Sequence, residues 1–486
     1  MHFMSAANRN FEDQQARGGL FGECEAPELA TDGVDMTLSG GEARVLYADR
    51  CQVELRSFDL DASLAPNHPA RIVWAFVQSM DLRPLYAAIR SRQGGRGAPA
   101  IDPAILTSLW LWATIDGIGS AREVDRLCER DDAYRWLCGG VGVNYHSLAD
   151  FRTGNAAWLD AQLTRSIASL LDRRLVELNV VAQDGMRVRA SAKAASFRRR
   201  EKLQHLHKLA QAQVQALKRE LTEDAGASAR RKQAALERAA REREERLAKA
   251  IATMDEIAAM PEPRKPTPSK RRGKSKGKDD PPEMGGAVTP EPAPVERELR
   301  VSTTDPQARV MKMADGGYRP AFNAQLAVDV ETQLIASVDV VESGSDKRQM
   351  APMHASVQQR YGITPDHWLA DGGFTTLDAI EEVIERGTQP VLPPPRSRNP
   401  QIDPLAPKDT DSPALAQWRA TMASDWGKAL YVWRSASVEC VNAQLRRRGL
   451  IHFNVRGKIK AKAVLLWHAL AHNLMRMHSL NMAFEA

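Results

Sequence analysis

Apolar residues recur three and four apart from Ala70 to Leu171, in "RIVWAFVQSMDL", "DPAILTSLWLWATIDG" and "SAREVDRLCERDDAYRWLCGG". That period predicts a compact set of helices, with Asp102 before Pro103 and Ser120 standing where N-caps belong. In "VELNVVAQDGMRVRASA" the period drops toward two and β-branched residues dominate, which predicts a strand. Helical spacing returns over 197–259. Leu203, Leu206, Ala210, Val214, Leu217 and Leu221 form one stripe, and Leu236, Ala240, Leu247, Ile251 and Met254 another, so an antiparallel helical hairpin with charged outer faces is expected. Residues 261–298 combine Pro, Lys and Gly and cannot build a core, as in a basic disordered linker.

Order returns in "FNAQLAVDVETQLIASVDVVESG", two alternating strands about a turn at Glu331 and Thr332, followed by a helix from about Lys347 to Tyr361. A strand ending "WLAD", a helix "LDAIEEVIERG", a short strand "QPVLPPP" and closing helices complete the order. With the insert removed, this succession suits a mixed α/β sheet. The division is then 1–60 irregular, 61–175 a helical N-terminal domain, 176–196 the first part of an α/β domain, 197–260 the hairpin insertion, 261–300 the linker, and 301–480 the rest of the α/β domain.

Composition narrows the class. A chain of 486 residues that is 43% hydrophobic can bury a sizeable core, and its formal charge of +6 favours a polyanionic partner such as nucleic acid. Five scattered cysteines with no C-x-x-C pair suggest neither a disulfide framework nor a zinc knuckle, and fit a reducing cytoplasm. The opening residues lack a signal-peptide layout, and no stretch approaches the roughly 18–20 apolar residues of a membrane span, so an intracellular protein is expected.

Three acids stand at element ends in the α/β half: Asp184 after "NVVAQ", Asp371 after "HWLA", and Glu439 in "YVWRSASVECVNAQLRRRG". Two-metal phosphoryl transfer needs hard oxygen ligands around ions about 3.5–4 Å apart, which carboxylates from two strands and a helix can supply. Glu439 shares a helical face with Asn442, Ala443 and Arg446, while Val438, Val441 and Leu445 point to the core side. Tyr431 and Arg434 lie just upstream, and Arg447 and Arg448 extend a basic strip suited to phosphate contacts. Taken singly, an Asp before Gly is most often a turn residue, and Asp329, Asp339 and Asp346 are rival carboxylates. Of these, Asp346 reads as an N-cap for the helix after it.

Other signals point elsewhere. His468 and His472, four apart on an apolar helix without the intervening glutamate of a zinc protease, read as packed histidines. No Walker A or dinucleotide fingerprint supports ATP or nicotinamide use. Trp110 has the spacing of core material, and Arg122, Arg126 and Arg130 share a face that is a candidate for DNA contact.

The blocks "DPQARVMKMADGGYRPAFNAQLAVD", "DGMRVRASA", "LADGGF" and the Tyr-x-x-Arg leading to Glu439 and Arg446 resemble the DDE transposases of bacterial insertion sequences, specifically the insertion sequence 1182 family. The stretch from "HPARIVWAFVQSMDLRPLY" to "VNYHSLADFR" is similar to the helical domain that precedes catalysis in that group. The resemblance covers most of residues 60–480 in order. It implies a ribonuclease-H-like catalytic fold interrupted by an insertion, with Asp184 and Asp371 as the catalytic aspartates and Glu439 as the third metal ligand. It also implies Mg²⁺, with Mn²⁺ as a substitute, and double-stranded DNA as partner, at the element's ends and at the target. A homodimer or larger synaptic complex in the bacterial cytoplasm, nucleoid-associated when on DNA, follows as well. Tyr431, Arg434 and Arg446 fall on the family's Tyr, Arg and Lys positions, and Arg446 departs by carrying Arg where Lys is usual. The rival functions are a catalytically inactive, transposase-derived DNA-binding protein and a nuclease of the same fold that hydrolyses without joining.

Overall fold

A long central strand, β1 (Val180–Arg189), organises the molecule. The computed structural model describes residues 59–91, 98–223, 227–259, 299–395 and 403–482. The segments expected at 1–60 and 261–300 therefore lie outside the described residues, but for 59–60 and 299–300. All described residues fall in one compact unit that spans Phe58–Ala486.

Ahead of β1 run helices α1 (Pro69–Ser79), α2 (Arg83–Ala87), α3 (Pro103–Ile115), α4 (Ala121–Arg130), α5 (Asp132–Cys138), α6 (Tyr145–Gly154) and α7 (Ala156–Asp172). Asp102 caps α3 by accepting the Ala104 N–H at 2.8 Å. Ser120 occupies the cap position of α4, but its side chain makes no cap bond. Trp110 is fully buried and donates its indole N–H to the Leu148 carbonyl at 2.9 Å.

After β1 come β2 (Phe197–Arg198), α8 (Arg200–Glu223), α9 (Ala227–Ala259) and β3 (Val301–Ser302). β2 and β3 pair antiparallel, and the Ser196 and Ser302 hydroxyls meet at 2.7 Å, so both ends of the insertion are tied together where it leaves the domain. Leu203, Ala210, Leu247, Ala250 and Met254 pack between its helices in a core of their own. Leu236 is a correction to the expected stripe: it is half exposed, because two helices alone leave one face of the pair uncovered.

The rest of the sheet is β4 (Arg309–Lys312), β5 (Tyr318–Asp329), β6 (Ile335–Val341), β7 (His367–Leu369) and β8 (Gln389–Val391), with α10 (Met350–Tyr361) and α11 (Leu377–Glu385) between strands. β5 pairs antiparallel with β1 on one side and with β4 and β6 on the other, while β1, β7 and β8 run parallel. This is a mixed sheet, and β5 is buried from Pro320 to Asp329, as an interior strand covered on both faces must be. The chain closes with α12 (Pro413–Ala423), α13 (Asp425–Arg434), a π-helical turn (Ser435–Glu439), α14 (Cys440–Arg447) and α15 (Lys458–Ser479).

α15 is buried along most of its length, since it packs on α3, α6 and α7 on one side and on β6 on the other. One hydrophobic core consequently runs through the N-terminal helices and the sheet. Two polar residues on α15 bond the turn and strand beside it: Asn473 bonds both the N–H and the C=O of Ile335, at 2.8 and 2.9 Å, and His472 bonds the Gln333 carbonyl at 2.9 Å. His468 and His472 are thus packed histidines.

Burial holds three histidines well below their ordinary pKa: His354 and His472 at about 4 and His468 at about 3. The unfolded chain takes up these protons near pH 6.5 while the folded one does not, so their contribution to stability is present above that pH and is lost as the pH falls toward 4. Buried Asp305 and Asp329, with raised pKa, act in the opposite sense. The expected outcome is that His472→Gln flattens the loss of stability between pH 6.5 and 4.5 relative to wild type, measured as urea midpoints across that range.

Candidate active site

Register brings the first two acids together. β1 and β7 are adjacent parallel strands in which Val180 pairs with His367, Val181 with Trp368 and Ala182 with Leu369. Two residues further along lie Asp184 and Asp371, side by side; Asp371 is past the end of β7, but Asp184 is a correction, standing in the middle of β1 and not at an element end, because β1 runs on to Arg189 paired with β5. The turn after β7 is held by Asp371 itself, whose Oδ1 accepts the Gly373 N–H at 2.7 Å. A Cβ at Gly373 would stand only 2.8 Å from that oxygen, which accounts for one of the two glycines that follow the aspartate.

Both oxygens of Asp184 are engaged: Oδ1 accepts its neighbour's N–H, from Gly185, at 2.8 Å, and Oδ2 accepts from Asn442 Nδ2 at 2.7 Å. Burial pushes its carboxyl up to about 6; the Gly185 N–H and Arg434 oppose the rise, while the negative charges of Asp371 and Asp346 add to it.

Glu439 closes the π-helical turn between α13 and α14, the kind of local widening often found at functional sites. Val438, Val441 and Leu445 are buried as the pattern requires, and this segment packs on β1 and β5. The Glu439 carboxylate is half exposed and pairs with Arg434, whose guanidinium also lies 5.7 Å from the Tyr431 ring centroid. Arg434 feels the negative charge of both Glu439 and Asp184. Among the described residues, no three His, Cys, Asp or Glu side chains lie close enough to hold one ion. The donors nonetheless suit a hard cation: they are carboxylate oxygens, burial and like charge destabilise ionised Asp184, and the buried Asn442 Oδ1 lacks a hydrogen-bond partner.

The remaining acids have other work. Asp329 accepts both the N–H and the hydroxyl of Thr332 in a turn, and Asp339 pairs with Lys462 at 3.2 Å. Asp346 is a correction: Gln349, not Asp346, is the N-cap of α10, which begins at Met350. Its carboxylate instead turns under β1, where it accepts from Asn323 Nδ2 at 2.7 Å, Gln325 Nε2 at 2.8 Å and Arg187 Nη2 at 2.7 Å. A buried carboxylate with three donors outcompetes a cap exposed to water. Gly185 lies directly over this cluster, and a Cβ there would stand 2.2 Å from Asp346 Oδ1 and 2.5 Å from Gln325 Nε2.

Arg446 is exposed and lines a cavity beside Gly185, and Arg447 is exposed. Arg448 is half-buried, and its backbone passes under Gly117 of the helical region. On α4, Arg122 lies 5.0 Å from the Tyr145 ring centroid and Arg126 pairs with Glu123.

Residues 296–474 match the transposase DDE domain, and residues 58–154 match a transposase domain (DUF772). No curated protein and no solved structure gives a significant match. These matches indicate a transposase: the chain carries a transposase DDE domain, a kind of domain that implies a ribonuclease-H-like fold and generally works with divalent metal ions on DNA. Asp371 and Glu439 lie inside the DDE match and Asp184 ahead of it, where the pairing of β1 with β5 and β7 brings it in.

Sequence reasoning missed Asn442 as a partner of Asp184, although it had placed Asn442 on the face of Glu439. It also missed the Asp346–Arg187 pair, whose only trace is an Asp just after a strand. Gly185→Ala is expected to stay soluble but lose about 1–3 kcal/mol through overpacking, read by urea denaturation; a loss under 0.5 kcal/mol would mean that the cluster beneath Gly185 yields freely.

Proposed function

We propose that this protein cleaves DNA at the ends of an insertion sequence of the 1182 family and joins those ends to target DNA, with Asp184, Asp371 and Glu439 as its catalytic carboxylates. One observation carries the reading: the register of adjacent parallel strands sets Asp184 beside Asp371, and the helix that follows Glu439 is hooked to Asp184 through Asn442. Water attacks the phosphodiester in line, the 3′ oxygen leaves, and the freed 3′-OH attacks a target phosphodiester in a second displacement of the same kind.

Asp184, Asp371 and Glu439 would hold Mg²⁺ or Mn²⁺. A bound divalent cation supplies Lewis-acid stabilisation of charge on the phosphoryl oxygens. The chain's own part is positioning. Gly185 and Asn442 orient the two oxygens of Asp184, Gly373 orients Asp371, and Arg434 holds the Glu439 carboxylate. Tyr431, Arg434, Arg446, Arg447 and Arg448 are the proposed DNA contacts. Because two ends must be joined, a homodimer or larger assembly on DNA in the bacterial cytoplasm belongs to this reading.

In Mg²⁺ the wild type is expected to cleave and join DNA carrying the element's ends. Asp184→Asn, Asp371→Asn and Glu439→Gln should each bind that DNA and lose on the order of 10³-fold in cleavage, the scale of losing one member of a catalytic unit. Cleavage without joining from pre-cut ends would instead define a nuclease. Binding without cleavage by the wild type would define a DNA-binding protein.

A further inference from the structure

A cavity of 640 Å³ opens along β1 at Gly185, one residue past Asp184. Four elements contribute cations to it: Arg187 and Arg189 from β1, Lys312 from β4, Arg319 from β5 and Arg446 from α14. Two are neutralised within the fold, Arg187 by Asp346 at 2.7 Å and Arg319 by Asp315 at 2.6 Å. Arg189, Lys312 and Arg446 are exposed and have no acidic partner among the described residues.

Three unpaired cations gathered on one concavity repel one another, and a polyanion relieves that cost. The cavity is open, and its charged side chains stand around an apolar floor that includes Met313, Leu450 and Ile451. Its place also matters: the cavity begins one residue from Asp184, along the stretch of β1 that β7 leaves unpaired beyond Ala182.

We propose that the cavity seats the phosphodiester backbone of the DNA strand leading away from the scissile bond, with Arg189 and Lys312 as phosphate-binding residues alongside Arg446. The assignment rests on the transposase reading and extends it to β1 and β4. Arg187, held by Asp346 and by the Gly344 carbonyl at 2.9 Å, forms the fixed wall of the seat.

The test measures affinity of the full-length protein for labelled end DNA in Ca²⁺ across a salt series, together with cleavage in Mg²⁺. The proteins compared are wild type, Arg189→Ala/Lys312→Ala and the charge-preserving Arg189→Lys/Lys312→Arg; thermal melts check folding. The alanine pair is expected to weaken binding roughly tenfold or more and to reduce the slope of log K against log salt by about 2, at roughly 0.9 per lost phosphate contact, with the charge-preserving pair restoring both. Affinity within twofold of wild type and an unchanged slope would overturn the cavity assignment while wild-type cleavage keeps the transposase reading. A reduced slope in a protein that cleaves nothing would overturn the catalytic reading and keep the cavity. Competition by millimolar inorganic phosphate or mononucleotide as effective as unlabelled DNA would overturn the strand as occupant in favour of a free phosphate.

Discussion

Asp184 is a carboxylate held inside a sheet, and much of the surrounding structure answers the cost of keeping it there. A buried ionised group is unfavourable unless hydrogen bonds and opposite charge compensate it. The Gly185 N–H and Asn442 supply the hydrogen bonds and Arg434 the positive charge, yet the carboxyl still titrates up to about 6. The site therefore carries excess negative charge in a place shielded from water. This is the electrostatic condition that favours a hard cation and, through it, a phosphate.

The second acid under the strand belongs to the same economy of space. Asp346 is buried with Arg187, Asn323 and Gln325, and it approaches β1 so closely that no side chain fits at position 185. Such a hydrogen-bonded cluster resists movement, because shifting Asp346 leaves the buried donors of Asn323 and Gln325 without a partner. The strand that presents Asp184 is thereby pinned from below, while Asn442 on α14 holds the carboxylate from above. The π-helical turn at Glu439 lets α13 and α14 run nearly as one helix and still seat Val438 and Val441 on the sheet.

Rigidity at the site contrasts with how the remaining parts are joined. The insertion α8–α9 has its own small core and meets the domain through the β2–β3 ladder, so it can be lengthened or exchanged with little effect on β1. The N-terminal helices differ in kind. They share α15 and one continuous core with the sheet, and the ion pair of Arg360 with Asp160, at 2.8 Å, ties α10 to α7.

Local pattern sufficed for much of this. Periodicity in "VELNVVAQDGMRVRASA" and "FNAQLAVDVETQLIASVDVV" places β1, β5 and β6, and helical spacing places Trp110 in the core and Val438, Val441 and Leu445 on the inner face of the Glu439 segment. Asp371 was legible as the residue past a strand and Glu439 as one on a helix face, from spacing of two and 3.6, whereas Asp184 was misread as a strand end because Asp-Gly mimics a turn. Partnership was not legible. That Asn442 holds Asp184 across 258 positions, that Asp346 turns inward instead of capping α10, and that Arg189, Lys312 and Arg446 share a cavity all depend on strand order and register. Those are set by long-range pairing and by the burial of polar groups, which act between residues distant in the chain. The sequence by itself determined most of the elements and which acids are candidates; only the tertiary structure decided which of them meet.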